Sequence, residues 1–121
     1  MARAANVFVL CAGRCGSVTF ARAAAHMRNF TVGHESRTHL TGPARLDFPP
    51  GHVEVDNRLG WFLGRLERRW GDRAAHVHLL RDPEAVAQSF LARADRGILL
   101  AYRTEILMNA ARKGTDVAMI D

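Results

Sequence analysis

The feature that most constrains the fold is a short apolar segment that runs directly into a glycine-containing turn. Residues 6–10 read NVFVL, and this β-branched, apolar run predicts a buried strand. Residues 13–17 read GRCGS, and residues 17–28 then predict a helix whose alanines allow close packing on a sheet. A strand that turns at glycines into a helix opens many α/β domains with a parallel sheet.

The rest of the chain continues the alternation of strands and helices. We predict a second strand over residues 30–33, a long loop with three prolines over 34–51, and an amphipathic helix over 57–70. The remaining predicted elements are a strand over 75–80, a helix begun by the Asp82-Pro83 pair, a helix over about 98–111 and a strand over 117–120. We therefore expect a three-layer α/β fold, a parallel sheet with covering helices, as one domain over residues 1–121.

The charge of the chain limits its partners. The net charge is +5, and Lys113 is the only lysine among 17 basic residues. The arginines are spread along the chain, which argues against nucleic acid or a membrane surface and favours a small anionic ligand. Arginine makes forked contacts to phosphate or carboxylate, although for most of these positions a coding bias toward arginine is the favoured explanation.

Neither the cysteines nor the apolar runs indicate secretion or membrane insertion. Cys11 and Cys15 are too close in sequence to join distant parts of the fold and too few for a zinc site. The apolar stretch at the N-terminus is cut short by Arg14, and no run is long enough to cross a bilayer. We expect reduced cysteines and a cytoplasmic protein.

The turn at residues 13–17 combines the components of a phosphate-binding loop. Glycines let backbone N–H groups converge on an anion, the helix N-terminus adds partial positive charge, and Arg14 supplies a cation. Ser17 can cap the helix and offer its hydroxyl to the same phosphate. The alternative is a turn that serves only tight packing. A Walker A lysine is missing and no aspartate is predicted at the end of a hydrophobic strand, which argues against hydrolysis of Mg-ATP or Mg-GTP.

A second anion-binding signal follows the predicted strand at 75–80. Arg81 leaves the carboxyl end of that strand, where open parallel sheets bind their ligands. Ser89 lies eight positions later, about two turns into the next helix. The alternative is that Arg81 pairs with Asp82 or Glu84 while Ser89 is a solvated helix residue. The occurrence of both residues after the glycine turn favours an anion.

The two motifs resemble those of the P-loop sulfotransferases, which use 3′-phosphoadenosine 5′-phosphosulfate (PAPS). In that family a Lys/Arg-Ser-Gly-Thr-Thr type loop binds the 5′-phosphosulfate, and residues 14–18 (RCGSV) occupy its place. An Arg-Asp-Pro segment with a serine eight residues after the arginine binds the 3′-phosphate, and Arg81 and Ser89 match it. Cys15 stands where serine is usual and Val18 where a second hydroxyl residue is common; one lost hydroxyl hydrogen bond is worth about 1 kcal/mol.

The resemblance covers about residues 7–93 and implies a fold of the P-loop nucleoside-triphosphate-hydrolase type. It implies transfer of a sulfuryl group from PAPS to a hydroxyl or amine acceptor, with Arg14 stabilising charge on the leaving phosphate. The implied nucleotide-binding residues are Gly13, Arg14, Cys15, Gly16, Ser17, Val18, Arg81 and Ser89. Family members are usually about twice as long, so the chain resembles their N-terminal half. An apolar surface left by the missing half makes self-association an expectation.

Candidates for the general base follow the second predicted strand. Glu35 and His34 lie there, and some carbohydrate-modifying relatives keep a catalytic glutamate in this region. The alternative is that both belong to a hydrogen-bond network of the loop. His52, His76 and His78 are weaker candidates, the last two because alternating histidines on a strand are commonly buried and hydrogen-bonded. No ligand spacing indicates a metal site.

Other functions remain open from the sequence. A non-catalytic nucleotide-binding module would bind the desulfated nucleotide without transferring a group. A small P-loop kinase-like enzyme would need Mg-ATP. A basic nucleic-acid-binding surface would depend steeply on salt across the whole protein rather than on Arg14 and Arg81.

Overall fold

The computed structural model describes residues 5–108, which fall into two compact units. The sheet unit extends to Leu80, and the helical unit begins at Arg81. The strands of the sheet unit are β1 (Asn6–Leu10), β2 (Thr31–His34), β3 (His52–Val55) and β4 (Ala74–His78). Its helices are α1 (Ser17–Ala24) and α2 (Leu63–Trp70). The helical unit contains α3 (Pro83–Leu91) and α4 (Gly97–Ala101).

The four strands form one parallel sheet in the order β2-β3-β1-β4. Val7 of β1 is aligned with Val53 of β3 on one side and with Ala75 of β4 on the other. Val32 of β2 is aligned with Val53 from the far side of β3. All carboxyl ends therefore lie at one edge of the sheet, and the predicted α/β class with a parallel sheet is confirmed.

Helices cover both faces of this sheet, because successive residues of a strand point to opposite sides. On the α1 face, the buried residues Val9, Val53 and Val55 pack against Phe20 and Ala21 of α1. The α2 face carries the larger core cluster, made of Phe8, Leu46, Phe48, Leu59, Leu66 and Trp70. The ring centroid of Phe8 lies 5.5 Å from that of Phe48 and 5.9 Å from that of Trp70. This arrangement is compatible with a three-layer α/β fold.

Strand β3 was not predicted from the sequence. His52 and Glu54 interrupt its apolar pattern, yet all four of its residues are buried. The predicted loop over residues 34–51 is irregular apart from a 3₁₀ turn over Gly42–Leu46. The strand predicted at 75–80 is β4, which begins one residue earlier and ends two residues earlier.

The helix predicted over 57–70 changes type along its length. It begins as a 3₁₀ helix over Asn57–Phe62 and becomes α-helical at Leu63. A 3₁₀ helix turns more per residue than an α-helix, so the apolar side chains of residues 57–70 do not all point to the same face. Leu59 and Leu66 are fully buried as expected, whereas the Leu63 side chain is 49% exposed.

Two other helices end earlier than the pattern predicted. Helix α1 stops at Ala24 rather than near residue 28, because His26 and Met27 donate to carbonyls three residues back, which tightens and closes the last turn. The helix predicted over about 98–111 is α-helical only over Gly97–Ala101 and continues as a π-helical turn over Tyr102–Ile106. Its predicted end and the strand predicted over 117–120 lie outside the described residues.

The predicted start of α3 is confirmed. Asp82 is the N-cap, its carboxylate accepts a hydrogen bond of 3.0 Å from the Ala85 N–H, and Pro83 opens the helix. Val86 of this helix is buried, whereas the Leu91 side chain at its end is 46% exposed. No helix within residues 5–108 is both long enough and apolar enough to span a membrane.

Gly33 of β2 generates a prediction about packing. A Cβ at Gly33 would collide with Oε1 of Glu54 on β3 and lie 2.8 Å from Oγ of Ser36. We expect Gly33→Ala to lower the free energy of unfolding by about 1–3 kcal/mol, as overpacking does elsewhere. Urea denaturation followed by circular dichroism measures this change.

Gly60→Ala is the matched control, because no heavy atom lies within 4 Å of a Cβ at Gly60. We expect its free energy of unfolding to change by less than about 1 kcal/mol. Equal decreases in the free energy of unfolding for the two substitutions would contradict the close contact between Gly33 and Glu54.

Candidate functional site

The topology of the sheet singles out the carboxyl end of β1. From β1 the chain passes by way of α1 to β2 and β3, then crosses to β4 on the other side of β1. Helix α1 covers one face and α2 the other, so the connections on the two sides of β1 run over opposite faces. Open parallel sheets bind ligands at such a switch point, outside the carboxyl ends of the strands. The turn at residues 13–17 begins there.

The backbone of this turn is tightly curled. Gly13, Arg14 and Gly16 all have positive φ angles, of 106°, 55° and 84°. The Cys15 thiol donates to the Gly13 carbonyl over 3.2 Å, which closes the curl. Arg14 is exposed, and a residue with a Cβ pays a steric cost for this conformation. The turn is therefore held in its shape by its surroundings.

The start of α1 exposes helix N–H groups toward the turn. The first helical hydrogen bond runs from the Phe20 N–H to the Gly16 carbonyl over 2.9 Å, so the three preceding N–H groups lie outside the helical ladder. Gly16, in a left-handed conformation, is the N-cap, and no side chain caps the helix. The expectation that Ser17 caps α1 is therefore wrong, because Ser17 is already the first helical residue.

The Ser17 side chain instead contacts a predicted catalytic candidate. Nε2 of His34, the last residue of β2, lies 3.3 Å from the Ser17 hydroxyl oxygen. Both side chains are half-buried. The fold thus brings together two residues that are 17 positions apart in the sequence, one from each predicted part of the site.

Glu35 follows His34 at the same edge of the sheet. Its side chain is exposed, and its backbone N–H donates to the Val55 carbonyl over 3.0 Å, which extends the pairing of β2 with β3. Its φ angle of 50° is in the left-handed region, and the chain turns sharply there. The turn directs Ser36 back toward β3.

The sequence did not reveal a buried carboxylate beneath this turn. Glu54 of β3 is fully buried and accepts hydrogen bonds from the Ser36 hydroxyl over 2.6 Å and from the Ser36 N–H over 2.8 Å. His52 Nε2 lies 2.8 Å from the same carboxylate, and its Nδ1 lies 2.7 Å from the Thr31 hydroxyl. A carboxylate only accepts, so the His52 hydrogen lies on Nε2. The alternation of Val53 and Val55 was the only sequence signal for this cluster.

These hydrogen bonds decide the ionisation of Glu54. Burial by itself would raise the pKa of the carboxyl group, but the hydrogen bonds from His52 and Ser36 outweigh burial and lower the pKa below its usual value of 4.5. Glu54 is therefore ionised in the folded protein at neutral pH.

A second acidic residue, Asp56, corrects an expectation. No aspartate was predicted at the end of a hydrophobic strand, yet Asp56 directly follows β3, next to β1, and is fully buried. One carboxylate oxygen is 2.6 Å from the Arg45 guanidinium, and the other accepts the Arg58 N–H over 2.8 Å. The carboxylate thus joins the 3₁₀ turn before β3 to the helix after it.

The histidines of β4 are not buried as expected. His76 and His78 are both exposed, because β4 is the last strand of the described sheet and neither of its faces is well covered. The His76 ring lies 5.8 Å from the Phe8 ring, centroid to centroid. Within residues 5–108, no group of three or more histidine, cysteine or acidic side chains is arranged to hold a metal ion.

The remaining predicted nucleotide-binding residues lie partly in the helical unit. Val18, in the first turn of α1, is 46% exposed. Arg81 is exposed and opens the helical unit two residues before α3, and Ser89 is half-buried in the second turn of that helix. Arg81 comes two residues after Leu79, whose N–H donates to the Leu10 carbonyl over 2.8 Å and continues the pairing with β1.

No protein-family model matches the sequence, and comparison with curated proteins and with solved structures gives no significant match.

The lowered pKa of Glu54 predicts how stability depends on pH. A carboxyl group with a lower pKa in the folded state stabilises fully above its unfolded pKa and loses this contribution as the pH falls through the folded pKa. We expect the difference in unfolding free energy between the wild type and Glu54→Gln to be constant above about pH 5.5 and to shrink below about pH 4.5. Urea titrations over this range measure it. A difference that stays constant to about pH 3 would contradict the prediction.

The two cysteines of the turn should differ in reactivity. Burial raises the pKa of the Cys11 thiol, the neighbouring Cys15 thiol raises it further, and a hydrogen bond with Gly13 only partly offsets this. Since the thiolate is the nucleophile, we expect iodoacetamide to modify the half-buried Cys15 at least about tenfold faster than Cys11 near pH 8. Peptide mass spectrometry measures both rates, and the urea-unfolded chain, in which the rates should converge, is the control. Faster modification of Cys11 in the folded protein would contradict this.

Proposed function

We propose that this protein is a P-loop sulfotransferase that binds PAPS and transfers its sulfuryl group to a hydroxyl or amine acceptor. The single observation that carries the proposal is the curled turn of Gly13, Arg14 and Gly16, which joins the carboxyl end of an inner parallel strand to a helix N-terminus without a side-chain cap. A glycine turn in this position is typical of phosphate binding.

The 5′-phosphosulfate is proposed to lie against this turn. The helix N–H groups that precede the ladder of α1 can donate to its oxygens, and the exposed Arg14 guanidinium can pair with them. As the sulfuryl group leaves, negative charge grows on the 5′-phosphate. Donors and a permanent cation aimed at that phosphate then stabilise the transition state more than the ground state.

The 3′-phosphate is proposed to be held by Arg81 and Ser89. The pairing of β4 with β1 continues to Leu79, two residues before Arg81 in the sequence. The cap made by Asp82 fixes the start of α3, on which Ser89 lies two turns later. Binding of this remote phosphate would orient the reacting end of PAPS.

The acceptor hydroxyl needs a base, and His34 is the candidate that the fold brings to the turn. Its Nε2, 3.3 Å from Ser17 Oγ, is at the start of α1, where the phosphosulfate is proposed to bind. In this role Nε2 would take the proton from the acceptor as the new O–S bond forms. Glu35, exposed on the next residue, is the alternative base.

One observation favours a second candidate function, a P-loop kinase-like enzyme that uses Mg-ATP. Asp56 ends a strand beside β1, where such enzymes hold magnesium through an aspartate. However, both oxygens of Asp56 accept hydrogen bonds, from Arg45 and from the Arg58 N–H, and no lysine follows Gly16. These facts favour the sulfotransferase.

The experiment is a calorimetric titration with 3′-phosphoadenosine 5′-phosphate and, separately, with Mg-ATP. We expect only the first ligand to bind measurably. We expect Arg14→Ala and Arg81→Ala each to weaken its binding at least about tenfold, or about 1.4 kcal/mol, because each removes a charged contact to a different phosphate.

Arg65→Ala is the matched control, since Arg65 is exposed on α2 and far in sequence from both motifs. It should bind the nucleotide as the wild type does. Equal affinity for both ligands, or equal losses in all three variants, would refute the proposal. Binding without transfer from PAPS to any hydroxyl or amine tested would identify a nucleotide-binding module instead.

A further inference from the structure

The α2 face of the sheet unit contains a pocket that the proposed function does not use. Its volume is about 330 Å³, at the lower end of the range for small-molecule sites. The loop between β2 and β3 contributes six of the seven lining residues, among them Ser36, Arg37 and Phe48, and β3 contributes His52. The pocket thus lies over the buried Glu54 and His52 cluster.

Arg37 is the one permanently charged residue among those that line this pocket. Arg37 and His39 line it, together with His52, and no acidic residue is among its lining residues. Arg37 is held in position because its Nη1 donates to the Ala44 carbonyl over 2.9 Å and its guanidinium lies 5.5 Å from the centre of the Phe48 ring. A guanidinium has five N–H donors, so this bond uses one of them. The lining therefore suits an anionic group.

The carboxylate nearest to the pocket does not oppose an anion. Glu54 is buried, and its charge is met by His52 Nε2 and by both donors of Ser36. Because the Ser36 hydroxyl hydrogen is directed to Glu54, what Ser36 presents to the pocket is the lone pairs of its oxygen. Ser36 therefore suits a hydrogen-bond donor of the ligand.

The rest of the pocket lining is largely apolar. The His52 ring uses both nitrogens for Thr31 and Glu54 and stacks on the Phe48 ring, at 5.6 Å between centroids and 9° between planes. It presents a flat ring face rather than a polar atom. Leu40 and Pro49 complete this surface. The apolar surface suits a flat or aliphatic body.

We propose that this pocket binds a small hydroxylated organic acid, with its carboxylate paired to Arg37, its hydroxyl donated to Ser36 and its apolar body against Leu40 and Pro49. The binding needs no nucleotide and no residue of the turn at 13–17. It is therefore independent of the proposed transferase activity.

The probe for this proposal is meta-hydroxybenzoate, followed by chemical-shift changes in two-dimensional NMR of the full chain. We expect saturable binding in the millimolar range, with shifts at the pocket residues. Benzoate, which lacks the hydroxyl, and meta-hydroxybenzyl alcohol, which lacks the charge, should each bind at least about fivefold more weakly.

Two variants test the site, one by removing its charge and one by filling its volume. Arg37→Gln removes the cation and should weaken meta-hydroxybenzoate about tenfold or more, and Leu40→Trp fills the pocket and should abolish its binding. Arg65→Gln removes an exposed arginine of α2 that does not line the pocket and should bind the probe unchanged. A thermal melt of each variant without ligand reports whether it folds.

The outcomes separate this proposal from the nucleotide site. Arg14→Ala should bind meta-hydroxybenzoate as the wild type does, even if no variant binds a nucleotide. The proposal fails if the wild type shows no saturable binding up to about 10 mM probe, a range that covers weak ligands. It also fails if folded Arg37→Gln or Leu40→Trp binds the probe as well as the wild type.

Discussion

The ionised Glu54 side chain is the constraint around which one half of the sheet is organised. A buried carboxylate is costly unless hydrogen-bond donors replace the water it loses, and here His52 Nε2 and the hydroxyl and N–H groups of Ser36 donate to it. The donors come from two places, the same strand and the turn after β2, and Thr31 at the start of β2 bonds the other nitrogen of His52. Gly33 leaves the space that the carboxylate occupies. Losing one of these partners would leave the buried charge with fewer donors and raise the cost of burying it.

This cluster also shapes the carboxyl edge of the sheet. Because Ser36 is drawn back to Glu54, the chain turns at Glu35, and His34 is left at the end of β2, where it reaches Ser17. The polar cluster on the α2 face and the contact at the start of α1 are therefore parts of one arrangement. His34, Glu35 and Asp56 lie at the carboxyl end of the sheet, where parallel α/β folds bind ligands, whereas Thr31 and His52 are the first residues of their strands.

The sequence predicted the elements whose signals are local. The apolar run of β1, the glycine turn after it and the Asp-Pro start of α3 depend on neighbouring residues only, and the structure agrees with all three. Strand β3 was missed because His52 and Glu54 look like loop residues until they pair with each other and with residues of β2 and the following turn. The contact of Ser17 with His34 was not predictable either, since it depends on the order of strands in the sheet. The exposure of His76 and His78 follows from the position of β4 in that order.

Two non-glycine residues at the carboxyl edge of the sheet, Arg14 and Glu35, adopt left-handed backbone conformations. Such conformations cost on the order of 1–2 kcal/mol per residue and persist only where the surrounding fold enforces them. The shape of the edge is consequently set during folding, and an incoming molecule finds it already made. Because the surrounding fold enforces these conformations, substitutions away from the edge can change its backbone shape. A substitution that loosens the core under the edge would let both residues relax to ordinary backbone conformations well before the domain itself melts.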